Sequence, residues 1–237
     1  MNRTLKVISL LLSYPTQELA DAIPELKAAI EGDDGLGERE TLLLNRLCDD
    51  IAERDLYDLQ ERYVHLFDRT RTLSLHLFEH VHGESRDRGG AMVDLMEMYG
   101  KAGFDIGVKE LPDYLPLFLE FLSTKPAPEA AELLGQTVHI LAALRERLKK
   151  RKSIYANAFA ALELIAAGKP DRALLKDLLD EPLDDPDDLE ALDRVWEEEV
   201  VTFGGNAGEN ACGPDRLRTQ MRAAARKAPD PSHANSA

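Results

Sequence analysis

The sequence has 237 residues, enough for one large domain, and its hydrophobic fraction of 44% is ordinary for a protein that buries a core. The net charge of −15 repels a phosphate backbone, so nucleic acid is not expected as a partner and a basic peptide is favoured. Cys48 and Cys212 are too few for a disulfide framework, and they form no Cys-x-x-Cys metal motif. The apolar run over residues 7–12 is too short to span a membrane and lacks a cleavage site. These features predict a cytoplasmic protein without direct membrane insertion.

Apolar residues recur at helical spacing along the first third of the chain. A first helix is predicted over residues 5–12. A second is expected over residues 16–30, and Pro24 inside it predicts either a kink or a division into two helices. Two further helices are predicted over residues 38–51 and 56–67.

After residue 90 the same spacing returns and predicts six more helices. These cover residues 92–99, 111–122, 129–151, 154–167, 171–179 and 189–200. Pro112 would lie in the first turn of the second of them, where proline is tolerated. No run of alternating β-branched residues predicts a strand. The expected fold is therefore an all-α, single-domain bundle of about nine or ten helices over residues 1–204, followed by a disordered tail over residues 205–237.

Residues 72–90 break the helical rhythm and concentrate histidine and charge. Four of the six histidines lie in or beside this segment: His65, His76, His80 and His82. A His-x-His pair with nearby carboxylates can bind a metal. Such pairs in barrel-type metal enzymes lie on β-strands, with a glutamate several residues downstream. This sequence predicts no strand, and Glu84 follows His82 after only two positions.

A hydrolytic site would need a nucleophile, and Ser85 is the obvious candidate in this segment. Residues 83–87 do not form the Gly-x-Ser-x-Gly turn of a nucleophile elbow. The simpler interpretation is that Ser85 or Asp87 caps the helix that follows, while Arg86 and Arg88 form ion pairs.

Two charged stretches and three methionines lead to further hypotheses about the surface and the core. The basic run over residues 145–152 closes a predicted helix and favours a solvated helix end. The acidic run over residues 180–199 is typical of a solvated face and could also steer a basic partner. Met92, Met96 and Met98 could line a groove, although their helical spacing favours an ordinary core.

Three longer runs are more specific than any single motif. They are YVHLFD at 63–68, SLHLFEHVHGESRDRG at 74–89 and ELPDYLPLFLEFL at 110–122. Together with residues 10–15 and 196–203, they resemble the NarJ family, the assembly chaperones ("delta subunit") of respiratory nitrate reductase. That family belongs to the wider TorD/DmsD class of redox-enzyme maturation chaperones. The resemblance covers residues 1 to about 204.

The resemblance implies an all-helical chaperone without catalytic activity and without a cofactor of its own. Its partner would be the nitrate reductase α subunit, bound at the N-terminus. The chaperone would keep this apoenzyme competent for molybdenum cofactor insertion before membrane attachment, and it would be absent from the mature enzyme.

The resemblance also implies a set of client-binding residues. These are Tyr63, Phe67, His76, Phe78, His80, His82, Glu84, Arg86, Arg88 and Tyr114. Three alternatives stay open: a chaperone of another molybdoenzyme, a metal-dependent enzyme that uses the cluster between His76 and His82, and a structural scaffold that stays in the final complex. The sequence predicts no oligomeric state.

Overall fold

Eleven α-helices are present in the computed structural model, which describes residues 3–81, 86–107, 110–185 and 187–188. The helices are α1 (Arg3–Leu11), α2 (Gln17–Asp21), α3 (Ile23–Glu31), α4 (Glu38–Ala52), α5 (Leu56–Tyr63), α6 (Arg86–Lys101), α7 (Leu115–Ser123), α8 (Ala127–Gln136), α9 (Val138–Lys150), α10 (Ala156–Ile165) and α11 (Arg172–Asp180). The predicted all-α fold is confirmed. The helices outnumber the prediction because two predicted helices are each divided.

The segment between α5 and α6 has a different backbone. It contains a π-helical turn, Val64–Asp68, and two 3-10 turns, Arg71–Leu73 and Leu77–His80. Across the described ranges the β pairing amounts to one isolated antiparallel bridge, between His76 and Tyr114. The loss of helical rhythm in the sequence therefore marks a real change of backbone conformation.

The predicted second helix is divided before Pro24. Helix α2 begins after Thr16, whose hydroxyl oxygen accepts a hydrogen bond from the Leu19 amide at 3.2 Å. Helix α3 begins at Ile23, which places Pro24 in its first turn. Proline is tolerated there because the first turn of a helix has no partner for its amide groups.

The single helix predicted over residues 129–151 is wrong. Helix α8 ends at Gln136 and α9 begins at Val138, with Thr137 between them at φ −102° and ψ 1°. The Thr137 hydroxyl donates a hydrogen bond to the Leu134 carbonyl at 2.9 Å. A threonine side chain that bonds the preceding turn in this way competes with continuation of the helix.

The predicted start of the 111–122 helix is also wrong. Helix α7 begins at Leu115, and its first turn contains Pro116 rather than Pro112. The Pro112 carbonyl instead accepts a hydrogen bond from the Tyr99 hydroxyl at 2.8 Å. The Asp113 carbonyl accepts one from the Leu77 amide at 3.0 Å. Residues 111–114 therefore form a turn that is bonded to two other segments.

Helix α1 is buried in the core and packs against α3 and α7. Its side chains Leu5, Ile8 and Leu11 have no exposed surface. Helix α10 packs against α4 and α9, and α11 packs against α9. Each fully buried leucine or isoleucine contributes about 1.5–3 kcal/mol, so the apolar stripes that predict the helices also hold them together.

Helix α6 is the most exposed of the long helices in the described part of the chain. It buries Leu95 and Tyr99, whereas Val93 and Met96 are 57% and 51% exposed. Met98 is also exposed, so the core interpretation is wrong for Met96 and Met98. Exposed apolar side chains on a helix are available to a partner.

The described residues belong to one unit, Met1–Leu192. The predicted helix over residues 189–200 and the predicted tail over residues 205–237 lie outside them. No helix in the described part of the chain combines the length and the apolar character that crossing a membrane requires.

Candidate functional site

The site begins where α5 changes into the π-helical turn. The Arg69 amide bonds the Val64 carbonyl at 3.1 Å, five positions back, which widens the helix locally. Phe67 lies in this turn, with its ring centroid 5.0 Å from that of Tyr63 and 5.2 Å from that of Tyr155. Such turns are frequent at functional sites because they redirect side chains without ending a helix.

A loop over residues 71–81, called the site loop below, lies against the turn before α7. Its main anchor is Asp113, which has no exposed surface. One carboxylate oxygen accepts a hydrogen bond from the Phe78 amide at 3.0 Å, and the other lies 3.3 Å from His76 Nδ1. The Leu115 amide donates to the Leu75 carbonyl at 2.8 Å. One buried carboxylate therefore sets the conformation of the middle of the loop.

His76 is half-buried between Asp113 and Tyr114, whose ring centroid is 5.4 Å from that of His76. Burial lowers the pKa of His76, but the hydrogen bond and the charge of Asp113 outweigh it, so the pKa is raised above its ordinary value. Asp113 thus favours the imidazolium form of His76.

His80 has the opposite character. Its Nε2 lies 2.8 Å from the Ser74 carbonyl oxygen, and because a carbonyl only accepts, Nε2 carries the proton and donates. Burial lowers the pKa of His80, and the nearby charge of Arg147 acts in the same direction. The lowered pKa favours the neutral form of His80, and its ring bonds the backbone of the same loop.

Two tyrosines connect the loop to the beginning of the chain. The Tyr63 hydroxyl donates to the Leu12 carbonyl at 3.0 Å and lies 2.9 Å from the Tyr114 hydroxyl. Because Tyr63 has a single hydroxyl proton, Tyr114 donates to Tyr63. Burial raises the pKa of both hydroxyls, so both remain protonated. The ring of Tyr14 meets that of Tyr63 edge to face at 5.6 Å.

A cavity of about 240 Å³, called the tyrosine cavity below, opens beside these rings. It is lined by Tyr14, Tyr63, Phe67, Asp68, Leu75, His76, Glu110 and Tyr114. Two of the lining residues, Asp68 and Glu110, are carboxylates. Burial raises the pKa of Asp68, and the charge of His76 offsets part of this rise. The cavity thus combines aromatic rings with a partly desolvated carboxylate.

A larger cavity of about 650 Å³ lies elsewhere, between the end of α4, the end of α9 and residues 183–185 and 187. Two of its three arginines already have a counter-ion. Arg62 lies 2.6 Å from one oxygen of Asp50, and Arg54 lies 3.0 Å from the other. We therefore place the candidate site at the smaller cavity, where Asp68 has no paired arginine or lysine among the described lining residues.

The ten predicted site residues are not all brought together. Four of them line the tyrosine cavity: Tyr63, Phe67, His76 and Tyr114. Phe78 packs against the core, His80 closes the loop, and Arg88 pairs with Glu79 at 3.1 Å. His82 and Glu84 lie outside the described residues, as does the side chain of Arg86. The predicted helix over residues 92–99 is confirmed within α6, which extends from Arg86 to Lys101.

Sequence reasoning missed several residues of the site. The missed residues are Tyr14, Asp68, Leu75, Glu110 and Asp113. Each of them stands inside a run that carries the family resemblance, so the signal was present for all five. Their residue types alone gave no reason to assign them to a site.

The metal-site alternative finds no support in the described residues, where no three His, Cys, Asp or Glu side chains are grouped closely enough to hold an ion. His76 is engaged with Asp113, and His80 with the Ser74 carbonyl. His82 and Glu84, the other members of the hypothetical cluster, lie outside that part of the chain.

The fold is an all-helical bundle with a small cavity of about 240 Å³ beside its tyrosines. The fold is similar to that of a protein described as a redox enzyme maturation protein from Archaeoglobus fulgidus, with a TM-score of 0.52 and 24% identity. That similarity covers 69% of this chain and 92% of the other. It shows the shared fold.

The family described as "Nitrate reductase delta subunit" matches residues 15–161. Proteins named nitrate reductase molybdenum cofactor assembly chaperone NarJ, from Escherichia coli K12 and from Escherichia coli O157:H7, are each 42% identical to this chain over 219 residues. The matches cover 92% of this chain and 91% of each relative. The chain belongs to the nitrate reductase delta subunit family. It is an assembly chaperone and not an enzyme, as the resemblance predicts.

Proposed function

We propose that this chaperone binds the N-terminal segment of the nitrate reductase α subunit and keeps the apoenzyme competent for molybdenum cofactor insertion. It acts in the cytoplasm before the enzyme attaches to the membrane, and it leaves before the enzyme is mature. The names of the two Escherichia coli relatives support the client and the step. The observation that carries the mode of binding is the tyrosine cavity with its two carboxylates.

The size of the cavity favours a peptide side chain over a small molecule. Small-molecule sites are usually about 300–1,000 Å³, and the tyrosine cavity, at about 240 Å³, is smaller. A peptide that lies across the surface can place one anchor residue in such a space while the rest of its contacts stay outside. The client therefore binds through an inserted side chain.

The lining favours a cation as that side chain. Tyr14, Tyr63 and Tyr114 line the cavity, and cations bind the faces of aromatic rings. Asp68 and Glu110 provide negative charge at the same place. The net charge of −15 adds a long-range attraction for a basic segment. An arginine or lysine of the client fits all three properties.

The raised pKa of Asp68 gives the interaction a pH dependence. Burial makes the charged form of Asp68 costly in the free protein, and a bound cation favours that form. Binding therefore releases a proton wherever Asp68 is partly protonated. The affinity for the client should rise with pH up to the raised pKa of Asp68 in the free protein and level off above it.

Titration calorimetry with a peptide of the α-subunit N-terminus tests this mode of binding. Asp68→Asn should weaken binding about tenfold, which corresponds to about 1.4 kcal/mol. Asp94→Asn is the matched control, because Asp94 is an exposed aspartate on α6 and its replacement makes the same change in net charge. Equal affinities for the two variants would refute the cavity as the anchor site.

The maturation step needs its own measurement. The molybdenum content of the α subunit should fall when the enzyme is produced without this chain and recover when the chain is supplied. An α subunit that is fully loaded without the chain would contradict the proposed function. An N-terminal peptide from another molybdoenzyme, titrated alongside, separates the nitrate reductase client from the alternative client.

A further inference from the structure

A buried arginine joins the site loop to the C-terminal end of the described helices. Arg147 lies in α9 and is 1% exposed. Its Nη1 donates to the Thr72 carbonyl of the site loop at 2.7 Å. Its Nη2 donates to the Leu178 carbonyl in α11 and lies 3.1 Å from a carboxylate oxygen of Glu181. One guanidinium group thus contacts three separate segments.

The residues that follow α11 contact the same loop directly. We call residues 181–185 the strap. The Thr72 amide donates to a carboxylate oxygen of Asp184 at 2.9 Å, and the Asp184 amide lies 3.4 Å from the Thr72 hydroxyl oxygen. Arg151 donates to the Asp184 carbonyl. The strap is therefore fixed to α9 on one side and to Thr72 on the other.

Thr72 lies at the beginning of the site loop, directly before the hydrogen bonds that hold the rest of the loop. Two residues further on, the Ser74 hydroxyl accepts a hydrogen bond from the His76 amide at 3.2 Å. The Ser74 carbonyl accepts from His80 Nε2. Asp113 holds the middle of the loop from one side, and Arg147 with Asp184 holds its beginning from the other.

From this geometry we propose that the strap clamps the site loop, and that Asp184 and Arg147 are positioning residues for client binding. The proposal rests on the proposed function, because His76 and Leu75 of the loop line the tyrosine cavity. The 3-10 turns of the loop have few hydrogen bonds of their own, so their order depends on these outside contacts. A hydrogen bond to a carboxylate is stronger than one between neutral groups, so the bond from the Thr72 amide to Asp184 is the strong direct contact between the strap and the loop.

Hydrogen exchange of the free protein tests the clamp without any client. Asp184→Ala should make the amides of residues 72–78 exchange about tenfold faster, while amides in α1 and α10 keep their protection. Asp184→Asn should restore most of the protection, because the amide oxygen of asparagine can still accept from Thr72. Asp180→Ala, which removes an exposed carboxylate at the end of α11, should match the unaltered protein.

Peptide titration of the same variants then tests positioning. Asp184→Ala should weaken binding of the α-subunit N-terminal peptide about fivefold, with Asp184→Asn and Asp180→Ala close to the unaltered protein. Unchanged exchange in Asp184→Ala, or faster exchange spread evenly over the whole chain, would overturn the clamp. Faster exchange in the loop with unchanged affinity would overturn the positioning role. An unaltered protein that binds no peptide would refute the proposed function, and the exchange result would still decide whether the strap is a clamp.

Discussion

Replacing Asp113 by alanine should destabilise the protein more than most single substitutions, because this carboxylate has no exposed surface and bonds the site loop. It accepts from the Phe78 amide at 3.0 Å and lies 3.3 Å from His76 Nδ1. Asp113→Ala removes both contacts, including the hydrogen bond from the Phe78 amide. The backbone bond from Leu77 to the Asp113 carbonyl remains available.

The size of the effect follows from these contacts. A hydrogen bond to a charged group contributes about 1.5–3 kcal/mol. The longer contact to His76 adds less. We expect a loss of about 3 kcal/mol in the free energy of unfolding, dominated by the Phe78 amide. For a protein of this size such a loss lowers Tm by roughly 6–12 °C.

Urea unfolding of three variants measures this effect. Asp113→Asn keeps an oxygen that can accept from the Phe78 amide, so it should lose only about 1 kcal/mol. Asp94→Ala, at an exposed position on α6, controls for the loss of one negative charge. If Asp113→Ala stays within about 0.5 kcal/mol of the Asp94 control, Asp113 does not anchor the loop as described.

Three further predictions concern pH, packing and the tail. His76 binds its proton more tightly in the folded state, so its contribution to stability is lost as pH rises from 6.5 through the raised pKa. His76→Asn should remove this loss of stability. His80 binds its proton less tightly in the folded state, so its contribution to stability is lost as pH falls below 6.5, and His80→Gln should remove that loss. Urea unfolding midpoints of both variants between about pH 5 and 8 measure the two effects. If the two histidines change the midpoint with pH in the same direction, their environments are not opposite as described. Gly135→Ala would place a Cβ 2.2 Å from the Ala167 carbonyl oxygen, so it should lower the free energy of unfolding by about 1–3 kcal/mol, and a neutral result would show that the helices separate easily. Deletion of residues 208–237 should leave the thermal midpoint unchanged, because that stretch offers no apolar stripe, and a large drop would show that it packs.

The helices were predictable from the sequence where their cause is local. The spacing of Leu5, Ile8 and Leu11 predicts α1, and all three residues are fully buried in it. The division before Pro24 is equally local, because proline lacks the amide that a helix interior requires. Periodicity and proline geometry act within one or two turns of chain, so a single sequence contains enough information to place them.

The break at Thr137 was not predictable in the same way. Apolar residues continue at helical spacing on both sides of it, and Val138 and Leu141 are as buried as Leu134. The two halves share α10 as a neighbour, but α8 also packs against α7 while α9 also packs against α11. Tertiary packing decides such a break, and periodicity does not report it.

The candidate site was even harder to predict from local sequence patterns than the break at Thr137. Tyr63, Phe67, His76 and Tyr114 were predicted through the family resemblance, and they line one cavity. Asp113 was missed, because its function depends on Phe78, which is 35 positions away in the sequence. In the sequence, Asp113 lies in the first turn of the predicted 111–122 helix, where an aspartate is an ordinary favourable charge. The contacts that give Asp113 its importance exist only after folding.

The central claim is that a cationic side chain of the client enters the tyrosine cavity. Nuclear Overhauser contacts in the complex of this chain with the α-subunit N-terminal peptide test it most directly. The account predicts contacts between the methylene protons of one arginine or lysine of the peptide and the ring protons of Tyr14, Tyr63 and Tyr114. A bound peptide whose basic side chains contact none of these rings, and whose protons instead approach Val93 and Met96 on α6, would contradict it.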